Sequence, residues 1–369
     1  MNGKFLRNVI LKGLVLFLLL DLALAGVNPA GLGKVSFYNH IFPGRQRFPF
    51  GEDSAQSYNL SLFNLDAMFA SHIIADGPKP ANEYRVLVIG DSSTWGTLLR
   101  PEQTLAGQLD AAGIGLCGKT VRVYNLGYPT ISLTKDLLVL EYALRYHPDL
   151  VIWPVTLEAF PLDKQLTSPI VANNAAYVDD LISRYNLPFD PGDPALVRPN
   201  FWDRTIIGQR RALADLFRLQ MYGLLWSATG IDQTYPIDYT PAQTDLEADE
   251  TFHNMQPPTL DESQLAFGVL EAGLQAAGKT PVLLVNEPML ISTGKNSDIR
   301  YNFFYPRWAY DQWRQMMSEK AQANGWNYLD FWDLVPADQF TNSAIHLTPE
   351  GEALLAGRVK QTILQQTCP

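Results

Sequence analysis

Cysteine is scarce in this sequence. Only Cys117 and Cys368 occur, and they match neither a zinc-ligand nor a Cys-x-x-Cys spacing. That excludes a thiolate metal centre and a dithiol redox motif. A single disulfide between them stays open, provided the chain is exported to an oxidising compartment. Blocks of like charge are missing as well. A formal charge of −10, spread along the chain, disfavours nucleic acid as a partner and offers no basic surface to anionic lipid. His40, His72, His147 and His253 show no ligand spacing, so structural roles are expected for them and no metal or other cofactor is implied. No compositional signature of disorder dominates.

Apolar residues are plentiful. Of the 369 residues 47% are hydrophobic, enough for one large core or for one core with a sizeable insertion. From Val9 to Val27 the chain is apolar apart from Lys12 and Asp21, close to the roughly 20 residues that cross a bilayer. Lys4, Arg7 and Lys12 lie on or before this run, which keeps the N-terminus cytoplasmic and puts the remainder outside. The expectation is a single-pass transmembrane signal anchor over residues 1–27, with a cleaved signal peptide ending near Ala23-Leu24-Ala25-Gly26 as the alternative. Residues 28–83 alternate turn residues with an aromatic and apolar patch from Tyr58 to Ile74. They read as a stalk packed on the main domain, since a flexible linker is richer in Gly and Ser. An Asn59-Leu60-Ser61 sequon falls within it, meaningful only in a glycosylating host.

The main domain, residues 84–369, opens on Val86-Leu87-Val88-Ile89 and stops abruptly at Gly90-Asp91-Ser92. This pattern reads as a buried strand delivering a hydroxyl to its C-terminal end, where ligands bind in open α/β sheets. A helix with Pro101 at its first position and Leu105 and Leu109 on one face ends at Gly113. A second strand, Val121–Asn125, runs into Leu126-Gly127. A helix from about Ser132 follows, with a stripe of Leu133, Leu137, Leu140 and Leu144 closed by His147-Pro148. The third strand, Asp149–Trp153, reaches Thr156-Leu157-Glu158. This β-α-β-α-β order predicts a mainly parallel, doubly wound sheet. Between about residues 160 and 263 the regularity breaks into a Pro- and aromatic-rich insertion with one helix near 210–226. It reads either as a cap on the sheet edge or as a lid over the Ser92 end. Alternation then resumes with a helix at 261–277, a strand at 281–285 leading to Asn286-Glu287, a helix at 306–323 and a short strand at 326–331. The last helix opens at Thr348-Pro349-Glu350, immediately behind His346.

Nucleophilic catalysis needs a hydroxyl, a base within hydrogen-bond reach, and donors aimed at the developing oxyanion. Ser92 is the candidate hydroxyl and His346 the candidate base, because the two chain ends converge on one face of the sheet. The N–H groups of Ser92 and Gly127 are candidate oxyanion donors, Gly127 being equally readable as a turn glycine. Trp308, Tyr310 and Trp313 suit either a sugar site or the core.

Three blocks carry a resemblance. Ile-Gly-Asp-Ser-Ser-Thr-Trp-Gly at 89–96, Asn-Leu-Gly at 125–127 and His-Leu-Thr-Pro-Glu-Gly at 346–351 resemble the first, second and fifth sequence blocks of the SGNH (GDSL-type) hydrolase superfamily. The match spans about 84–160 and 264–366, leaving out the anchor, stalk and insertion. It implies a flavodoxin-like five-stranded sheet, ester hydrolysis or acyl transfer through an acyl-serine, and no metal. Ser92 is then nucleophile and first oxyanion donor, Gly127 the second donor, and His346 the base. The anchored, exported layout is similar to relatives that act on acyl groups of envelope polysaccharides, which implies an acyl-ester or glycan substrate.

Two positions depart from the family pattern. The acid expected three residues before the histidine is Ser343, preceded by Asn342. An imidazole needs its other N–H oriented, and Asp338, Asp333, Glu287 or a backbone carbonyl are the candidates. Where the family places an Asn donor, this chain has Glu158, with Thr156 as an alternative donor. An ionised Glu158 opposes an oxyanion, whereas a protonated one donates to it. These departures motivate a rival reading, a catalytically impaired SGNH-like domain that binds a glycan or protein partner.

Overall fold

A computed structural model describes residues 2–27, 63–70, 72–75, 77–229, 239–366 and 368. Most of the expected stalk, with His40 and the Asn59 sequon, lies outside the described residues. The helices are α1 (Gly3–Leu24), α2 (Leu65–Ala70), α3 (Ser92–Trp95), α4 (Leu105–Ala111), α5 (Leu133–Ala143), α6 (Pro169–Ala172) and α7 (Ala175–Tyr185). They continue with α8 (Arg210–Thr229), α9 (Phe267–Ala277), α10 (Arg307–Asn324) and α11 (Pro349–Leu364). The strands are β1 (Glu83–Val88), β2 (Gly115–Leu116), β3 (Lys119–Asn125), β4 (Leu150–Val155), β5 (Val282–Asn286) and β6 (Asn327–Asp330).

The strands form one sheet in the order β2-β3-β1-β4-β5-β6. Neighbouring strands from β3 to β6 pair in parallel. Those five match the expected mainly parallel sheet, and the sixth, β2, is a two-residue antiparallel addition at the edge of β3. All residues of β1, β4 and β5 are buried. Helices on both faces of a parallel sheet cause this, which is why these strands read as unbroken apolar runs. Because the chain leaves β1 towards β3 and returns to β4, the connections after β1 and β4 diverge, the switch point at which such sheets bind ligands.

The described residues divide into two compact units. Residues up to 75, 172–176 and 192–229 form one, and the sheet with residues 77–171, 177–191 and 239–368 forms the other. The insertion is richer in helix than expected. Besides α8 it carries α7, whose Val178, Leu181 and Ile182 are buried at helical spacing.

The membrane-spanning expectation needs correction. The N-terminal run does form a 22-residue helix, α1. That helix also contains Lys4, Arg7, Lys12 and Asp21, and among the described residues no helix is long and apolar enough to cross a membrane. Asp21 is buried, and its carboxylate accepts the Ile207 N–H at 2.9 Å within the same unit.

Cys117 and Cys368 form a disulfide joining residues 251 apart in sequence. It ties the loop before β3 to the chain after α11.

Candidate active site

The C-terminal ends of the parallel strands bring the candidate residues to one edge of the sheet. β1 ends at Ile89-Gly90, and the chain turns at once into α3, with Asp91 as N-cap accepting the Ser93 N–H at 2.8 Å. Ser92 is therefore the first residue of a helix, and its N–H precedes the helix's own ladder of bonds. The Gly90 carbonyl accepts from the Tyr128 N–H at 2.9 Å and from the buried Lys135 Nζ at 2.5 Å. Lys135 also pairs with Asp136 at 2.5 Å. The buried Lys135 on α5 thus holds the Ser92 turn from behind, a position that the leucine stripe of that helix concealed.

His346 meets Ser92 directly. Its Nε2 lies 2.9 Å from Ser92 Oγ, and its Nδ1 lies 3.0 Å from Asn342 Oδ1. An amide oxygen only accepts, so the ring proton sits on Nδ1 and the Nε2 lone pair faces the serine hydroxyl. Asn342 Oδ1 also accepts from the Thr341 hydroxyl at 3.3 Å, which keeps the amide oxygen turned towards the ring. Burial pulls the imidazole down to about 4, against an upward pull from Asp91. The ring is consequently neutral near pH 7, the state required of a general base.

The group that orients His346 is thus Asn342, not one of the candidates named from sequence. Asp338 and Asp333 are exposed, Ser343 makes no recorded bond to the imidazole, and Glu287 is engaged elsewhere. The loop path explains the one-residue displacement. Phe340 bridges Leu347 and the Thr341 N–H donates to the His346 carbonyl at 2.8 Å, closing a tight loop across which Asn342 faces the ring. The negative charge acting on the imidazole comes from Asp91, beside the nucleophile itself.

Gly127 sits where a side chain has no room, since a Cβ would lie 2.4 Å from the Trp95 nitrogen. Its N–H is already donated to Asn125 Oδ1 at 2.9 Å, and Asn125 Nδ2 donates to the Thr94 carbonyl at 2.8 Å. Asn125 therefore clips the end of β3 onto α3. Gly127 serves in this arrangement as a close-approach turn residue, with its N–H turned to Asn125.

The end of β4 is likewise occupied. The Thr156 hydroxyl is fully buried and hydrogen-bonded to the Tyr305 hydroxyl at 2.7 Å. Glu158 is held by Lys164 Nζ at 2.5 Å and by His253 Nε2 at 3.3 Å, while His253 Nδ1 meets Asp163 at 3.2 Å. Burial pushes the Glu158 carboxyl up, but the bonds from His253 and Lys164 outweigh it and hold the group below its ordinary value. Glu158 is ionised, with its charge neutralised by Lys164 and by His253. His253, expected to be a plain structural residue, is part of this ionic cluster.

Behind the nucleophile lies a carboxyl pair that sequence reading did not find. Glu287 accepts from Ser93 Oγ at 2.5 Å, and with Thr94 and Glu352 it lines a cavity of about 10 Å³, room for one water. Thr94 Oγ1, Glu287 Oε1 and Glu352 Oε2 are buried without a hydrogen-bond partner among the described residues. Burial raises both carboxyls, Glu352 to about 8. The aromatic candidates resolve towards the core: Tyr310 and Trp313 are fully buried, and Trp308 donates its indole N–H to the Glu250 carbonyl. Among the described residues no cluster of His, Cys, Asp or Glu has the makings of a metal site.

No family model matches the sequence, and no curated protein matches it. Solved structures do. A lipolytic protein of the G-D-S-L family from Veillonella parvula is 11% identical over 76% of this chain and 99% of its own, with a TM-score of 0.37. The inhibitor-bound aryl esterase of M. smegmatis is 16% identical over 76% of this chain and 98% of its own, with a TM-score of 0.35. A carbohydrate acetylesterase from Sinorhizobium meliloti is 16% identical over 76% and 98%, with a TM-score of 0.34.

Proposed function

We propose that this protein is an exported, membrane-associated serine esterase or O-acyltransferase of SGNH type, acting on acyl esters through an acyl-Ser92 intermediate. The observation that carries this reading is the relay from Ser92 Oγ through His346 to Asn342 Oδ1, with contacts of 2.9 and 3.0 Å. Ser92 Oγ attacks the acyl carbon while its proton passes to Nε2. The tetrahedral oxyanion collapses, the ester C–O bond breaks, and Nε2 returns the proton to the leaving alkoxide. Water or an acceptor hydroxyl then gives its proton to Nε2 and attacks the acyl-serine, the acyl–Oγ bond breaks, and Nε2 returns the proton to Ser92 Oγ. The Ser92 N–H is the oxyanion donor this geometry supplies.

The Cys117–Cys368 disulfide supports export, since such bonds persist in oxidising compartments. Esters of envelope glycans or small esters are the substrate class that fits an exported, membrane-associated enzyme. A second reading, a binding domain with an impaired site, draws on the engagement of Gly127 N–H by Asn125 and of Glu158 by Lys164. Hydrolysis of a short-chain aryl ester decides between them. Wild type is expected to turn over and to be labelled at Ser92 by an organophosphonate, and Ser92→Ala to lose at least about 10⁴-fold in kcat/KM. Wild type without turnover or label sinks the enzyme.

A further inference from the structure

Exposed apolar surface is concentrated on two elements of the smaller unit. Helix α1 exposes apolar side chains along its length, from Phe5 at 60% to Leu22 at 42%. In the stretch 201–225, Trp202, Ile207, Phe217, Met221, Leu224 and Leu225 are between 51 and 71% exposed. The last four recur at i, i+4, i+7 and i+8, one face of α8. A stripe of that spacing ordinarily faces a core, and here it faces outwards. The two elements are joined where the Asp21 carboxylate accepts the Ile207 N–H. This bond also hides the one acid of α1.

Charge completes the pattern. Lys4, Arg7, Lys12, Arg204, Arg210, Arg211 and Arg218 outnumber Asp21, Asp203 and Asp215 on these elements, in a chain whose net charge is −10. The even charge of the whole sequence concealed this local basic excess. Apolar side chains flanked by arginines, with an exposed Trp beside them, are what an interfacial helix presents to anionic headgroups. A second copy of the chain fits less well, because a symmetric pairing sets the same basic residues against each other.

We propose that α1 and residues 201–225 together form a docking surface for an anionic lipid bilayer. The proposal rests on the membrane-association reading given above and is independent of the chemistry at Ser92. The insertion is then a second membrane contact beside the N-terminal helix.

Flotation of the full chain with vesicles of phosphatidylcholine, with or without phosphatidylglycerol, tests it. Binding is expected to be stronger with phosphatidylglycerol and to weaken with added salt. The variant carrying Phe217→Gln, Met221→Gln and Leu225→Gln, with α1 intact, is expected to lose about thirtyfold in vesicle partitioning. An unchanged thermal unfolding midpoint shows that this variant is folded. Should it unfold, Trp202→Gln reads the same surface and is expected to weaken binding several-fold. Folded variants that float like wild type overturn the proposal and leave α1 as the sole contact. A wild-type chain that does not float overturns membrane association itself. A vesicle-free dimer that dissociates in the triple variant assigns the surface to a second copy and equally overturns it.

Discussion

Two histidines of the sheet-bearing unit use both ring nitrogens, and they shift in opposite directions. His346 is hydrogen-bonded to a hydroxyl and an amide, and burial pulls it down to about 4. His253 is bonded to Glu158 and Asp163, and the bond to Glu158 raises it despite the opposing effect of burial. Burial and partner charge both separate them: His346 is the more deeply buried and is lowered by that burial, whereas His253 is more open to water and is raised by its carboxylate partners. An amide orients an imidazole without stabilising its cation, which suits a base that must start neutral, whereas two carboxylates favour the protonated ring and raise His253 above its ordinary value. The carboxylates follow the same logic: Glu158, with cationic partners, falls below its ordinary value, and Glu352, buried with an unpartnered oxygen, rises.

This contrast can be tested, and the largest effect is expected at His346. Replacing it by Gln removes the base and should lower kcat/KM on a short-chain aryl ester by about 10⁴-fold or more. A variant retaining a tenth of wild-type activity would show that the Ser92–His346 contact is not the working one.

The next effect isolates burial without a charged partner. Glu352 keeps its proton in the folded state up to about 8, against an ordinary value of 4.5. The folded state therefore binds more protons than the unfolded one across that window, and wild type loses stability as pH rises from 4.5 towards 8. Urea unfolding should find Glu352→Gln more stable than wild type by about 3 kcal/mol at alkaline pH and similar to it under acid conditions. Equal pH slopes in the two proteins would remove burial as the cause.

Converting the amide to a charge comes third. Asn342→Asp places a carboxylate on Nδ1, making the environment of His346 more like that of His253. The acid limb of the pH–rate profile should move up, with kcat/KM above it rising about tenfold, and Asn342→Ala should lower it by a similar factor. Identical profiles for all three proteins would take Asn342 out of the relay.

The smallest effect belongs to the ionic cluster. The raised His253 contributes stability fully below its ordinary value of 6.5, lost as pH rises through its folded value. The depressed Glu158 contributes above its ordinary 4.5, lost as pH falls through its folded value. Their pairing is thus complete between about 4.5 and 6.5, and His253→Asn should lower stability there by about 1 kcal/mol or less after solvent screening. Thermal midpoints measured across pH check this, and a deficit that persists undiminished at high pH would point to packing instead.

Much of the fold was legible because its signals are local. Apolar runs ending at Gly90-Asp91-Ser92 and at Asn286, and caps such as Thr348-Pro349, act through neighbouring residues. The succession of five strands along the chain followed from them, while their order across the sheet is a tertiary result. Helix α7 was missed: Val178, Leu181 and Ile182 do stand at helical spacing, but the prolines and aromatics of the insertion masked the signal. The two-residue β2 was not, because a pairing that short is decided by the edge of β3.

By itself the sequence determined which residues are the candidates for the proposed chemistry: a serine behind a buried strand and a histidine before the last helix, both set by local spacing. Only the tertiary structure decided what surrounds them. Closure of the 340–347 loop selected Asn342 over Ser343 as the partner of His346. The turn after β3 committed the Gly127 N–H to Asn125. Lys164 and His253 converged on Glu158 and neutralised it, and Asp21 found a backbone donor in the insertion. Each of these is a contact whose geometry depends on how loops close in space, which one-dimensional spacing does not encode.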